Sequence, residues 1–174
     1  MSVTRERPAP ALRFALATAA EIPAIVDVRD AAAARLTADF GPGHWSGVTS
    51  ERSVELGLRH AKVLLARRGR KLLGTLRLAT KKPWAIDVAY FTAVPRALYL
   101  LDMAVHPVAW RQGVGRALLA RAVEVAREWP ANAIRLDAYD AAAGAGGFYA
   151  KCGYRECGRV VYRTVPLRYY ELML

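Results

Sequence analysis

At 174 residues, 54% of them hydrophobic, the chain is long enough to bury one core without disulfides or a structural metal. Its 26 Lys and Arg against 15 Asp and Glu leave a net charge of +11, an excess suited to nucleic acid, an acidic substrate or phosphate groups. No apolar run approaches the ~20 residues that span a bilayer, and the amino terminus lacks the apolar core of a signal peptide, so a cytoplasmic location and no membrane partner are expected.

Residues 1–10, with Pro8 and Pro10 among charges, read as a flexible lead, and 11–174 as a single domain. Leu12, Phe14 and Leu16 alternate with smaller or polar residues, which predicts a first strand over 11–17. Thr18, with Glu21 three positions on, is a capping-box pattern and predicts a helix to about Phe40. Gly41 to Ser46 is a loop and Ser50 to about His60 a second helix; 62–67 and 71–80 form a hairpin. Its basic tip, Arg67-Arg68-Gly69-Arg70-Lys71, reads as a solvated turn, with a polyanion patch as the other reading.

An irregular aromatic stretch over 81–97 precedes the apolar run Leu98-Tyr-Leu-Leu-Asp-Met-Ala-Val105, a buried strand by its length and its bounding Pro107. The chain then turns through Gly113 and Gly115 into a helix with Val114, Leu118, Ala122, Val125 and Trp129 on one stripe, ended by Pro130. A strand at 133–139, a helix at 142–151 and two strands near 154–162 and 166–173 complete the chain. Gly144, Gly146 and Gly147 each cost about 1 kcal/mol relative to Ala in a helix, so that helix should be short or loose at its start. Cys152 and Cys157 with the scattered His44, His60 and His106 make no zinc set; two reduced thiols and no metal are expected. Alternating strands and helices with hairpins at both ends argue for a mixed α/β sheet flanked by helices.

The glycine turn suits an anion, because orphan N–H groups of the first helical turn point the same way as the positive end of the helix dipole. Two common phosphate loops are excluded by their neighbours. A Walker loop needs Lys and then Ser or Thr after its last glycine, where Arg116 and Ala117 stand; a dinucleotide fingerprint needs a third small residue, where Leu118 stands.

Strand, His106-Pro107 turn and Arg111-Gln-Gly-Val-Gly-Arg116 together resemble motif A of the GNAT superfamily of acyl-CoA-dependent N-acetyltransferases. Residues 134–154, ending in Phe148-Tyr-Ala-Lys-Cys-Gly-Tyr154, resemble that family's next strand and helix. Two positions depart: Trp110 stands where the family has Gln or Arg, and Ala142 where many members carry a capping Asn. The resemblance implies a mostly antiparallel sheet of six to seven strands, flanked by helices and splayed after the fourth strand. It also implies acetyl-CoA as co-substrate and an amine as acceptor.

By the same resemblance, the backbone of Arg111, Gln112, Gly113, Val114, Gly115 and Arg116 would seat the diphosphate. The main chain of Met103, Ala104 and Val105 would carry the pantetheine arm, with the Met103 N–H as oxyanion donor. Tyr149 would protonate the departing thiolate, and the base would be Asp137, Tyr99 or a relayed water. Asp102 ranks lower, because strand alternation turns it away from Tyr99 and Leu101. His44 and Trp45 on one side, with Trp84 and Tyr90 on the other, would wall the acceptor pocket. Few acidic residues stand there, which disfavours a polycationic acceptor and leaves a small-molecule amine. Two other classes compete: a CoA-binding sensor without turnover, and a basic nucleic-acid-binding module, which would show steep salt dependence. Tyr149 in its motif favours turnover, and no basic helix supports nucleic acid as partner; a homodimer is left open.

Overall fold

One seven-stranded sheet organises residues 11–174, the part of the chain that the computed structural model describes; the lead expected over 1–10 lies outside the described residues. Its strands are β1 (Leu12–Leu16), β2 (Lys62–Arg68), β3 (Lys71–Ala79), β4 (Ala97–Val105), β5 (Ala133–Tyr139), β6 (Arg155–Tyr162) and β7 (Val165–Met173). They lie in the order β1-β2-β3-β4-β5-β7-β6, and every neighbouring pair is antiparallel except β4 with β5. The helices are α1 (Ile22–Phe40), α2 (Glu51–His60), α3 (Val114–Glu128) and α4 (Gly146–Lys151). This is the mostly antiparallel, helix-flanked sheet expected from the sequence, with seven strands.

Strand alternation sorts the core onto two faces. Leu64, Leu76, Leu78, Leu98 and Leu100 bury against Val114, Leu118, Ala122 and Val125, the stripe that periodicity assigns to α3. Val63 and Leu65, one position out of step on β2, pack instead with Ile25 and Val28 of α1 and Val54 of α2. Residues Ile86 and Phe91, from the aromatic stretch, form a third cluster with Tyr99 and Tyr169. Beside it Glu171 receives hydrogen bonds from Arg135 Nε at 3.1 Å and from the Thr92 amide at 3.3 Å.

Local chemistry sets the element ends. The Thr18 amide and hydroxyl both donate to the Glu21 carboxylate, at 2.7 and 2.6 Å, closing a short 3-10 turn over Ala19–Glu21. The regular helix therefore starts at Ile22, four residues past Thr18. Ser50 caps α2 by accepting from the Ser53 amide. The start of α4 is delayed to Gly146, where an added Cβ would lie 2.5 Å from the Tyr170 hydroxyl, so only glycine fits that approach.

Two irregularities open the middle of the sheet. Pairing of β4 with β5 lasts only from Ala97–Tyr99 on Ala133–Arg135, after which the strands part. On the other side of β4 the register passes from Leu101 opposite Arg77 to Ala104 opposite Thr75, leaving Asp102 and Met103 in a bulge without partners on β3. Asp102 there has a left-handed backbone, φ 52°.

Candidate functional site

Two clefts meet where β4 and β5 part. One, of about 580 Å³, runs along Met103, Ala104 and Val105 to the turn at Arg111, Gly113, Val114, Gly115 and Arg116. Gly113 holds φ 78° at the N-cap of α3, a conformation that a side chain would strain. The amides of Gly113 to Arg116 donate to no backbone carbonyl among the described residues, as expected of the first turn of a helix. They supply the open, positive end that a phosphate requires, so the residues present fit a phosphorylated ligand.

Gln112 corrects the expected seat. Its amide donates to the Ala109 carbonyl at 3.3 Å, and its side chain turns outward to accept from Arg68 at 2.8 Å, so it does not line the cleft. That contact also ties the basic hairpin tip to the glycine turn, although Gly69, Arg70 and Lys71 are exposed as a solvated turn requires. Trp110, the departure from the family pattern, lines the cleft and donates its indole N–H to the Val105 carbonyl at 2.6 Å. One main-chain acceptor of the expected track therefore already carries a donor.

The second cleft, of about 760 Å³, shares Met103, Ala104, Ala145 and Tyr149 with the first. Tyr149, on α4, is buried, and its hydroxyl meets only the Met103 sulfur, at 3.6 Å. Burial first, then the nearby charges of Asp137 and Cys152, push that phenol far above its ordinary value, which favours the protonated form. Asp137 lines the same cleft from β5; it has no ion-pair partner among the described residues, and a hydrogen bond from its own backbone amide only partly offsets the effect of burial. Burial lifts its carboxyl above the usual Asp range.

His44 and Trp45 also line this cleft, and a residue that no sequence motif singles out packs against both. Tyr139 donates its hydroxyl to the His44 carbonyl at 3.1 Å and packs its ring against both side chains. Its place two residues beyond Asp137 on a strand is the signal that would have found it.

Three expected residues fall elsewhere. Tyr99 is buried with Ile86, Phe91 and Tyr169 and lines neither cleft. Trp84 is 85% exposed, and Tyr90 lies edge-on to Tyr169; neither lines the second cleft. The reason is common to all three: residues 81–96 fold over the part of the sheet where β4 and β5 still pair, away from their parting. Asp102 moves the opposite way. The bulge reverses the alternation of β4, so that Met103 and Val105 join Leu98 and Leu100 toward α3, while Asp102 enters the second cleft beside Arg77 and Arg29.

A family model described as the acetyltransferase (GNAT) family matches residues 31–154, and the chain belongs to that family. Among solved structures, the ribosomal-protein-alanine N-acetyltransferase of Brucella melitensis is 21% identical, with a TM-score of 0.71 over 93% of this chain and 99% of that one. The ribosomal-protein-S18-alanine N-acetyltransferase of Escherichia coli is 15% identical, with a TM-score of 0.70 over 94% of both chains. A Salmonella typhimurium protein, described as a candidate acetyltransferase and solved with its cofactor acetyl-CoA, is 17% identical, with a TM-score of 0.66 over 94% of both chains. At these identities the likeness is one of fold. Comparison with the curated proteins gives no match. Among the described residues no helix is long and apolar enough to cross a membrane, and no three His, Cys, Asp or Glu side chains gather as a metal set.

Proposed function

We propose that the protein transfers an acetyl group from acetyl-CoA to a primary amine of a small molecule, by direct attack of the amine. The observation that carries this reading is the pairing of Asp137, a carboxylate with a raised pKa and no ion-pair partner among the described residues, with the buried Tyr149 where the two clefts meet. Titratable groups pushed away from their ordinary values in one cleft are the usual mark of acid and base chemistry. The volume of the acceptor cleft, about 760 Å³, also falls within the range of small-molecule sites.

The bound donor supplies an activated acetyl thioester. Gly113 to Arg116 hold its phosphates by backbone N–H groups, and Met103, in the bulge where β4 has no register partner on β3, offers its backbone N–H to the carbonyl oxygen as it gains negative charge. Asp137 takes the proton that the amine nitrogen loses on forming its new bond to carbon. Tyr149 gives its hydroxyl proton to the sulfur that leaves. The two steps are coupled, because the charge of Asp137 is one cause of the high pKa of Tyr149. Once Asp137 is protonated that charge is gone, and the phenol becomes a better donor when it is needed.

The test is a screen of primary amines with acetyl-CoA, followed by thiol release and mass of the product. N-acetylation of small amines supports the reading. CoA binding with no transfer to any amine identifies a sensor and defeats it; transfer only to the first residue of a protein chain moves this protein to the substrate named for the Brucella and Escherichia neighbours.

A further inference from the structure

The acceptor cleft holds a cationic pair for which acid and base chemistry has no use. Arg29 of α1 and Arg77 of β3 both line it, with side chains only 12% and 24% exposed. Both lean on Asp102. Arg29 comes no nearer than 3.6 Å, beyond hydrogen-bond length, and Arg77 Nε lies at 2.9 Å without aiming its N–H at the carboxylate. The Nε atoms of both arginines are buried with no acceptor. Two guanidinium groups against one carboxylate leave a local excess of positive charge. Buried charged donors without acceptors are costly, and a ligand that supplies the acceptor removes that cost.

The other carboxylate of this cleft, Asp137, pairs with neither arginine. Burial also works against the charge of Arg29, although Asp102 opposes that effect. A planar guanidinium fork matches a carboxylate or a phosphate by two parallel hydrogen bonds, and the group already drawn against both arginines here is a carboxylate, that of Asp102.

We propose that Arg29 and Arg77 seat a carboxylate carried by the acceptor, so that the substrate class is a small primary amine that also bears a carboxylate, as amino acids do. This rests on the acetyl-transfer reading above. Asp102 occupies the seat in part while the cleft is empty and is displaced as the acceptor enters.

The experiment compares matched primary amines with and without a carboxylate, by kcat/KM. It also measures binding of the corresponding acid without an amine to the free protein by calorimetry. The acid-bearing amines should be preferred by about 10- to 100-fold, the range of a hydrogen bond between charged groups. Arg77→Gln and Arg29→Gln should collapse that preference and the calorimetric binding together. Asp102→Asn should have the opposite effect and strengthen both, since it removes the competing carboxylate, and Asn accepts the left-handed backbone at φ 52°. Equal use of both kinds of amine, or a preference that survives both arginine variants, overturns the inference. Failure of acetyl transfer to every amine would defeat the catalytic reading alone, because the calorimetric arm reads the carboxylate seat without turnover.

Discussion

Tyr149→Phe keeps the ring contacts with Phe148, Tyr154 and Tyr170 and deletes only the donor. General acid catalysis is worth about 10²–10⁴-fold, so kcat should fall within that range while CoA affinity hardly moves; a loss below about threefold would make Tyr149 a packing residue. Asp137 gives a pH signature with a definite sign. A base must be ionised, and burial raises its pKa, so kcat at saturating acceptor should drop as pH falls through a value above the ordinary Asp value of about 3.9. Asp137→Asn should be slow and should lack that limb in a profile from about pH 4 to about 9. Tyr149 was legible as a candidate from a motif of fixed spacing, and Asp137 as one of three candidates for the base, beside Tyr99 and a relayed water. Arg29, Arg77 and Asp102 were not. Alternation turned Asp102 away, and only the extra residue of the bulge in β4 brings it back into the cleft.

At the scale of elements, the strand-turn-helix from Ala97 to Glu128 was readable because periodicity, Pro107, the two glycines and Pro130 all agree. The fate of residues 81–96 was not, since nothing in a run without periodicity says which part of a sheet it will cover. The glycines of α4 show the same contrast between pattern and packing. Both looked equally costly in the sequence, yet an added Cβ meets nothing within 4 Å at Gly147 and the Tyr170 hydroxyl at 2.5 Å at Gly146. Gly147→Ala should therefore stabilise the protein by about 0.5–1 kcal/mol, whereas Gly146→Ala should destabilise it. Thermal unfolding of the two variants reads both signs.

For the whole molecule, the excess of positive charge is partly used within the fold. Arg68 braces the glycine turn through Gln112, and Arg29 and Arg77 line the second cleft, where both lie against Asp102. The parting of β4 from β5 has a wider consequence. A continuous sheet of seven strands has two edges; this one has four, two of them facing each other across its interior. Each inner edge carries main-chain groups that no strand of the protein satisfies, and an extended ligand arm lying between them would act as an eighth strand. Amide exchange of residues 101–105 and 136–139 should therefore slow when acetyl-CoA is added, more than in β1 and β2 at the distant outer edge. Unchanged exchange there would mean that the arm lies elsewhere. On this view the unliganded protein is a sheet left unfinished at its centre, and it shields those two open edges by turning them toward each other and away from neighbouring molecules.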